Sequence, residues 1–426
     1  MSMEPWMSYA LEWGNLLLRW THVITAIAWV GSSFYFVWLD NSLTRPEDPA
    51  LREKGVGGEL WAVHGGGFYN PQKYLGAPPT VPKSLHWFYW ESYSTWLSGF
   101  ALFTVLYLFQ AGTYLVDASV HKWSALAAVH TALGFLAGFW LLYDLICRTC
   151  GQRRLGPLSG DALVGSLVLG VIVGASWLAC QLFAGRAAFL LVGAMVATAM
   201  SANVFFWIIP GQRKVVAAIQ AGQPVDPVHG QRGKQRSVHN TYFTLPVLIA
   251  MLSNHYGWLT GAPHNWLVLV LMMLVGALVR QFFVARHKTA VAGQPAPWGW
   301  AVAAVALLLG VVVWLAPARP SADATVGAAP SVPMATATAT ATATETPAEL
   351  EVRAMAIVQQ RCVMCHNAQL ANKGVRLDSA QAMRQHAQAV YQQAVVLKAM
   401  PMNNATQITD DERAALGRWY QSLASP

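Results

Sequence analysis

Near the C-terminus, Cys362-Val363-Met364-Cys365-His366 sets two thiols two residues apart with an imidazole directly after them. That spacing suits covalent c-type haem: each thiol adds to one vinyl group, and the histidine sits under the iron. A redox pair or a zinc half-site would use the same cysteines. A zinc set would need further ligands, and only His386, with no cysteine, follows. The iron also needs a second axial group, and Met400-Pro401-Met402 supplies two thioethers. Met400, directly before proline, is the expected ligand over Met402. Thioether ligation raises the reduction potential, so this site is expected to receive electrons.

Two upstream stretches concentrate groups able to bind and to move protons. The first holds His64-Gly65-Gly66-Gly67-Phe68-Tyr69 and then Leu85-His86-Trp87-Phe88-Tyr89-Trp90-Glu91. Three consecutive glycines beside a histidine point to backbone in close approach to a ligand or to another segment. The second is Gln235-Arg236-Ser237-Val238-His239-Asn240-Thr241-Tyr242, a concentration of cationic, amide and imidazole groups at an expected helix entrance. Together they are expected to form an anion-binding pocket. Loop charge and helix capping alone account for the same residues equally well.

The elements that hold these groups are legible from composition. Of 426 residues, 55% are hydrophobic and 11% charged, with 19 Trp and 13 Tyr. That is a membrane protein with aromatic belts, and its +8 charge fits basic loops better than nucleic acid. Eight apolar runs reach the roughly twenty residues a spanning helix needs. They are Leu11 to Leu39, Tyr93 to Val116, Trp123 to Ile146, Ala162 to Phe183, Ala187 to Ile209, Thr241 to Leu259, Trp266 to Val284 and Trp298 to Leu315. Basic residues fall in alternate loops, among them Arg45, Arg52, Arg148, Arg153, Arg154, Arg213, Arg232 and Arg286, while the other set has only Lys122 and Arg186. The rich set is expected inside, so both termini lie outside, in the bacterial periplasm. Covalent haem attachment on that side agrees.

Residues 318–347 are an Ala/Thr/Pro tract without the means to build a core, read as a disordered tether of roughly 30 Å typical reach. Residues 348–426 read as a small helical haem domain, with helices at Glu349 to Gln360, at Ser379 to Val396, and from a capping box at Thr409-Asp410-Asp411-Glu412 onward. The expected fold is therefore all-α, a polytopic eight-helix transmembrane bundle over residues 1–317 followed by a class I cytochrome c domain. His22, His130 and His255 fall at one depth in the outer half of their spans. Histidines there are functional groups, two of which could clamp a b-type haem, or else are hydrogen-bonded within the bundle or line a proton path. Cys147 and Cys150 share the CxxC spacing without a following histidine, which leaves them a reduced bystander pair.

Across nearly its whole length the chain resembles the membrane-bound urate oxidases (urate hydroxylases) with a C-terminal cytochrome c. The resemblance lies in Arg19-Trp20-Thr21-His22-Val23, Gly31-Ser32-Ser33-Phe34-Tyr35-Phe36, the His64 and Leu85 runs above, Gln235 through Tyr242, and Leu252-Ser253-Asn254-His255-Tyr256. It implies oxidation of urate to 5-hydroxyisourate in the inner membrane, with electrons passed through haem c to a respiratory cytochrome or oxidase rather than to oxygen. Urate is a planar anion ringed with donors and acceptors, so Arg236, Gln235 and Asn240 become expected binding residues. His64, Glu91 or His239 becomes the expected base. If urate instead binds toward the outer half, Arg19, one turn from His22, is the binding candidate. A quinol dehydrogenase and a membrane-anchored electron shuttle are the competing functions.

Overall fold

The computed structural model describes residues 4–117, 120–151, 159–316, 346–368, 375–396 and 398–423. The expected tether, for all but its last two residues, and Arg153 and Arg154 lie outside them. Contacts divide the chain into Met1–Leu309 and Gly310–Pro426.

The first unit is mostly helical. Its elements are α1 Glu4–Ser42, α2 Pro49–Glu53, strands β1 Val56–Glu59, β2 Ala62–His64, β3 Gly67–Tyr69 and β4 Gln72–Tyr74, then α3 Trp90–Phe103, α4 Ala111–Tyr114, α5 Ala125–Cys150, α6 Gly160–Leu182 and α7 Gly185–Ala202. A π-helical stretch, Asn203–Ile208, joins α7 to α8 Ile209–Gln220. There follow α9 Pro227–Leu252, α10 Gly257–Thr260, α11 Asn265–Val291 and α12 Trp298–Trp314, which runs across the division between units.

Among the described residues, five helical stretches are long and apolar enough to cross a membrane: Trp13–Ser42, Ala125–Cys150, Gly160–Leu182, Gly185–Gln220 and Asn265–Val291. The other three expected spans differ for physical reasons. The second is broken, because α3 passes into a π-helical turn at Thr104–Leu108 before α4. The sixth begins 14 residues before its apolar part, at Pro227 rather than Thr241, since Asp226 caps the helix and proline occupies its first turn. The eighth is apolar throughout but covers 17 residues.

The strands correct the expectation of a wholly α chain. β2 and β3 form a hairpin with Val63 opposite Phe68, and β1 pairs antiparallel with β4. The glycine run, read as backbone in close approach to a ligand or to another segment, is the hairpin's turn: Gly65 and Gly66 have φ of 59° and 80°, both left-handed, as a tight two-residue connection demands.

Packing in this unit centres on α7, whose Ala187, Ala188, Phe189, Leu191, Val192, Met195, Val196 and Ala199 are all buried. α5, α6 and α9 pack around it. α5 contributes a stripe at Ala128, Ala132, Leu136, Phe139, Tyr143 and Cys147, the three-to-four spacing of one helix face. α9 contributes Arg236, Asn240 and Thr244 on one face, and its Pro246 is buried. α11 approaches at Gly276, where a Cβ would lie 3.1 Å from the Leu245–Pro246 backbone.

The second unit contains α13 Pro347–Arg361, α14 Ala380–Gln385, α15 Ala387–Val390, a π-helical stretch Tyr391–Val396 and α16 Asp410–Leu423. α13 packs on α16 around Leu350, Ala354, Ile357, Val358, Leu416 and Trp419. The expected middle helix is thus three short pieces. The capping box forms as read, with Thr409 N–H donating to Glu412 Oε2 at 2.7 Å and Glu412 N–H to Thr409 Oγ1 at 3.2 Å.

Candidate functional site

The stripes of α5 and α9 meet the end of α7 in a buried polar network. Arg236, 3% exposed, donates Nη2 to Asp144 Oδ1 at 2.7 Å and Nη1 to Asn203 Oδ1 at 3.2 Å. Asp144 also accepts Trp207 Nε1 at 2.7 Å and faces Arg148 Nε at 2.6 Å. The π-helical stretch adds a residue to its turn, and it carries both Asn203 and Trp207. Asn203 Nδ2 donates to the Tyr143 hydroxyl and to Asn240 Oδ1, both at 2.9 Å, and Asn240 Nδ2 to the Met200 carbonyl at 3.0 Å. The Arg236 guanidinium also lies over Tyr143 and Trp207, 5.0 and 5.1 Å from the ring centroids. A buried ion pair needs such hydrogen bonding on its remaining atoms to offset desolvation.

This network backs a cavity of about 800 Å³ between α5, α6, α9 and α11. Gln235, Arg236 and His239 line it with Arg148, Arg232, Lys234, Asp161, Trp207, Tyr242 and Phe243, among others. Four cations against Asp161, with Asp144 behind Arg236, leave the wall net positive and suited to an anion. Gln235 Nε2 holds Asp161 Oδ1 at 2.8 Å.

The Tyr143 hydroxyl accepts from Asn203 and lies 2.8 Å from His239 Nδ1. Nδ1 is thus engaged with Tyr143, and Nε2 is the ring nitrogen left for a ligand.

The structure thus brings together Gln235, Arg236, His239 and, behind them, Asn240. It does not bring His64 or Glu91 to the cavity: His64 is exposed on the β2–β3 hairpin, and Glu91 lies in the first turn of α3. His22 packs between α1 and α3, its Nδ1 3.1 Å from both the Thr95 carbonyl and Ser98 Oγ; a Cβ on Gly99 would lie 2.8 Å from the ring. Exposed His130 bonds the Leu126 carbonyl of its own helix at 2.9 Å, and His255 is exposed in a 3-10 turn. Arg19 is exposed and bonds Asn15 Oδ1 at 2.7 Å. Tyr143, Asp144, Asn203 and Trp207 escaped the sequence reading. A carboxylate inside an otherwise apolar run was the signal for Asp144.

In the second unit, Cys362 and Cys365 are free thiols, and burial pushes the Cys362 thiol up to about 11. His366 Nδ1 lies 3.1 Å from the Val375 carbonyl, which takes its proton and leaves Nε2 available. Trp419 Nε1 is buried without a partner among the described residues. Paired thiols, an imidazole with a fixed tautomer and an orphaned buried donor fit a covalently held haem.

Helices long and apolar enough to cross a membrane, around a buried arginine network and a cavity with a net positive wall, define the class as a membrane protein. Residues 8–316, well over half the chain, match the family model described as urate oxidase N-terminal, and the chain belongs to that family. It is a urate-oxidase-related protein. Comparison with curated proteins and with solved structures returned no match.

Proposed function

We propose that the protein oxidises urate to 5-hydroxyisourate in the α5–α6–α9–α11 cavity, with electrons leaving through haem c on the C-terminal unit. The observation that carries this is the convergence of Gln235, Arg236 and His239 on one cationic cavity in a chain of this family. Urate and water give the product with release of two electrons and two protons, so the wall must bind an anion and handle protons.

Arg236, held by Asp144 and Asn203, presents a fixed guanidinium edge, and Arg148, Arg232 and Lys234 add positive potential at the rim. His239 Nε2 bonds a urate oxygen or ring nitrogen, its ring steadied by Tyr143. Phe243 and Tyr242 offer aromatic surface to a planar ring. Asp161, oriented by Gln235, is the carboxylate on the wall able to take up a proton.

Cys362 and Cys365 would carry the thioether links of the haem, with His366 and Met400 as axial ligands. When bound, it supplies a one-electron acceptor of raised potential. In this reading eight helices span the bacterial inner membrane, both termini are periplasmic, and a respiratory cytochrome or oxidase accepts the electrons. His22 and His130 each hold a backbone carbonyl through Nδ1 and keep Nε2 available, so a b-type haem clamped by two of His22, His130 and His255 would serve as an electron carrier between the cavity and haem c.

Urate turnover and affinity of the purified protein, measured for Arg236→Ala and His239→Ala, test the site. Loss of affinity in the first and of turnover in the second are expected. Wild-type values in both variants remove the cavity from the mechanism.

A further inference from the structure

In the second unit, a buried cation holds the segment that carries both candidate thioethers. Arg413, in the first turn of α16, is 6% exposed. Its Nη1 donates to the Met400 carbonyl at 2.8 Å and to the Ala394 carbonyl. The Met400 N–H donates to the Gln393 carbonyl at 3.0 Å. The backbone of Met400 is therefore fixed on both sides, to the Tyr391–Val396 stretch and to α16.

Residues further along the same segment are tied to the haem-attachment turn. Arg361, directly before Cys362, donates Nη1 to the Thr406 carbonyl at 2.6 Å, and Thr406 Oγ1 donates back to the Arg361 carbonyl at 2.8 Å. The Arg361 fork also grips Glu412, whose carboxylate closes the capping box on Thr409. Between these ties Asn404 and Gln407 hold left-handed φ of 51° and 56°, conformations that surrounding structure must enforce on non-glycine residues. Met402 is held differently: its carbonyl accepts the Ala405 N–H within its own 3-10 turn, a local bond that moves with the loop.

We propose that Arg413 is the positioning residue that presents Met400, and not Met402, as the sixth ligand of the haem on Cys362, Cys365 and His366. This rests on the haem reading above. Arg413 acts by joining carbonyls from two elements through the two N–H groups of Nη1, which the rigid guanidinium plane aims; lysine would have to bring a tetrahedral ammonium on a shorter, flexible stem to the same point. Losing a hydrogen bond to a charged donor weakens the positioned state by about tenfold or more.

The full-length protein in detergent, with Arg413→Lys, Met400→Ala and Met402→Ala variants, tests this. Covalent haem is measured by pyridine haemochrome. Ligation is read from the thioether-to-iron charge-transfer band, from imidazole affinity of the ferric protein and from the reduction potential. Met402→Ala should keep the band and Met400→Ala should lose it. Arg413→Lys should keep its covalent haem, lose most of the band and bind imidazole about tenfold more tightly; where the thioether bond weakens tenfold more in the reduced than in the ferric form, the potential falls by about 59 mV. A wild-type band, affinity and potential in Arg413→Lys overturn the inference. So does loss of the band in Met402→Ala with retention in Met400→Ala, a comparison that decides even if Arg413→Lys fails to fold. Wild-type protein without covalent haem overturns the haem reading and this inference with it.

Discussion

Asp144→Asn removes one charge from the network behind the cavity while keeping its shape. The Arg236 and Asp144 side chains are 3% and 9% exposed, and among the described residues Asp144 is the carboxylate that Arg236 bonds. Arg148, 59% exposed, contributes at most about 1 kcal/mol to its own pair with Asp144. The cost therefore falls on Arg236, left as an uncompensated buried charge, at about 3–5 kcal/mol. By the scaling of larger domains that is a fall in Tm of roughly 10 °C. Arg236→Met should cost less, because Asp144 keeps Arg148 at 2.6 Å and the Trp207 indole at 2.7 Å. The double variant strands neither charge and should cost no more than the larger single. Thermal unfolding in detergent across this cycle measures the coupling. Costs under about 1 kcal/mol in both singles, or strict additivity in the double, would refute the reasoning.

His239→Ala should lower kcat by roughly 10²-fold or more while His64→Ala leaves it at the wild-type level, as steady-state urate oxidation will show. Tyr143→Phe keeps the imidazole but removes its partner at Nδ1, so a smaller fall, about tenfold, is expected in the same assay. Burial pushes the Glu412 carboxyl up, but hydrogen bonds from Arg361 and Thr409 outweigh it and hold the group below its usual value. Its stabilising contribution is thus complete above about pH 4.3 and lost as pH falls through the lower folded value. An acid titration of unfolding should show this step for the wild type and not for Glu412→Gln. Gly65→Val forces a β-branched side chain onto φ 59° and should speed proteolytic cleavage at the β2–β3 turn.

Local signals carried much of this architecture. Thr409 and Glu412 announced the start of α16 because a capping box is closed within four residues. Asp226-Pro227 announced α9 in the same way, but an apolar-run criterion passed over it, since Arg232, Lys234 and Arg236 make that half of the helix polar. Treating Gln235–Tyr242 as a helix entrance hid the fact that Arg236, Asn240 and Thr244 share a face of a helix already under way. Asp144 lies 92 residues from Arg236 and Asn203 lies 33, so only the packing of α5 and α9 on α7 joins them. The glycine run misled for the opposite reason: left-handed backbone was required, but by a hairpin turn rather than by close approach to a ligand or to another segment.

The most direct measurement is the absorbance of haem c in solubilised protein as urate is added without oxygen. Prompt reduction of the haem by urate, with 5-hydroxyisourate formed, is expected in the wild type, and little or none in Arg236→Ala. Reduction by quinol but not by urate, or wild-type reduction by urate in Arg236→Ala, would contradict the proposed function.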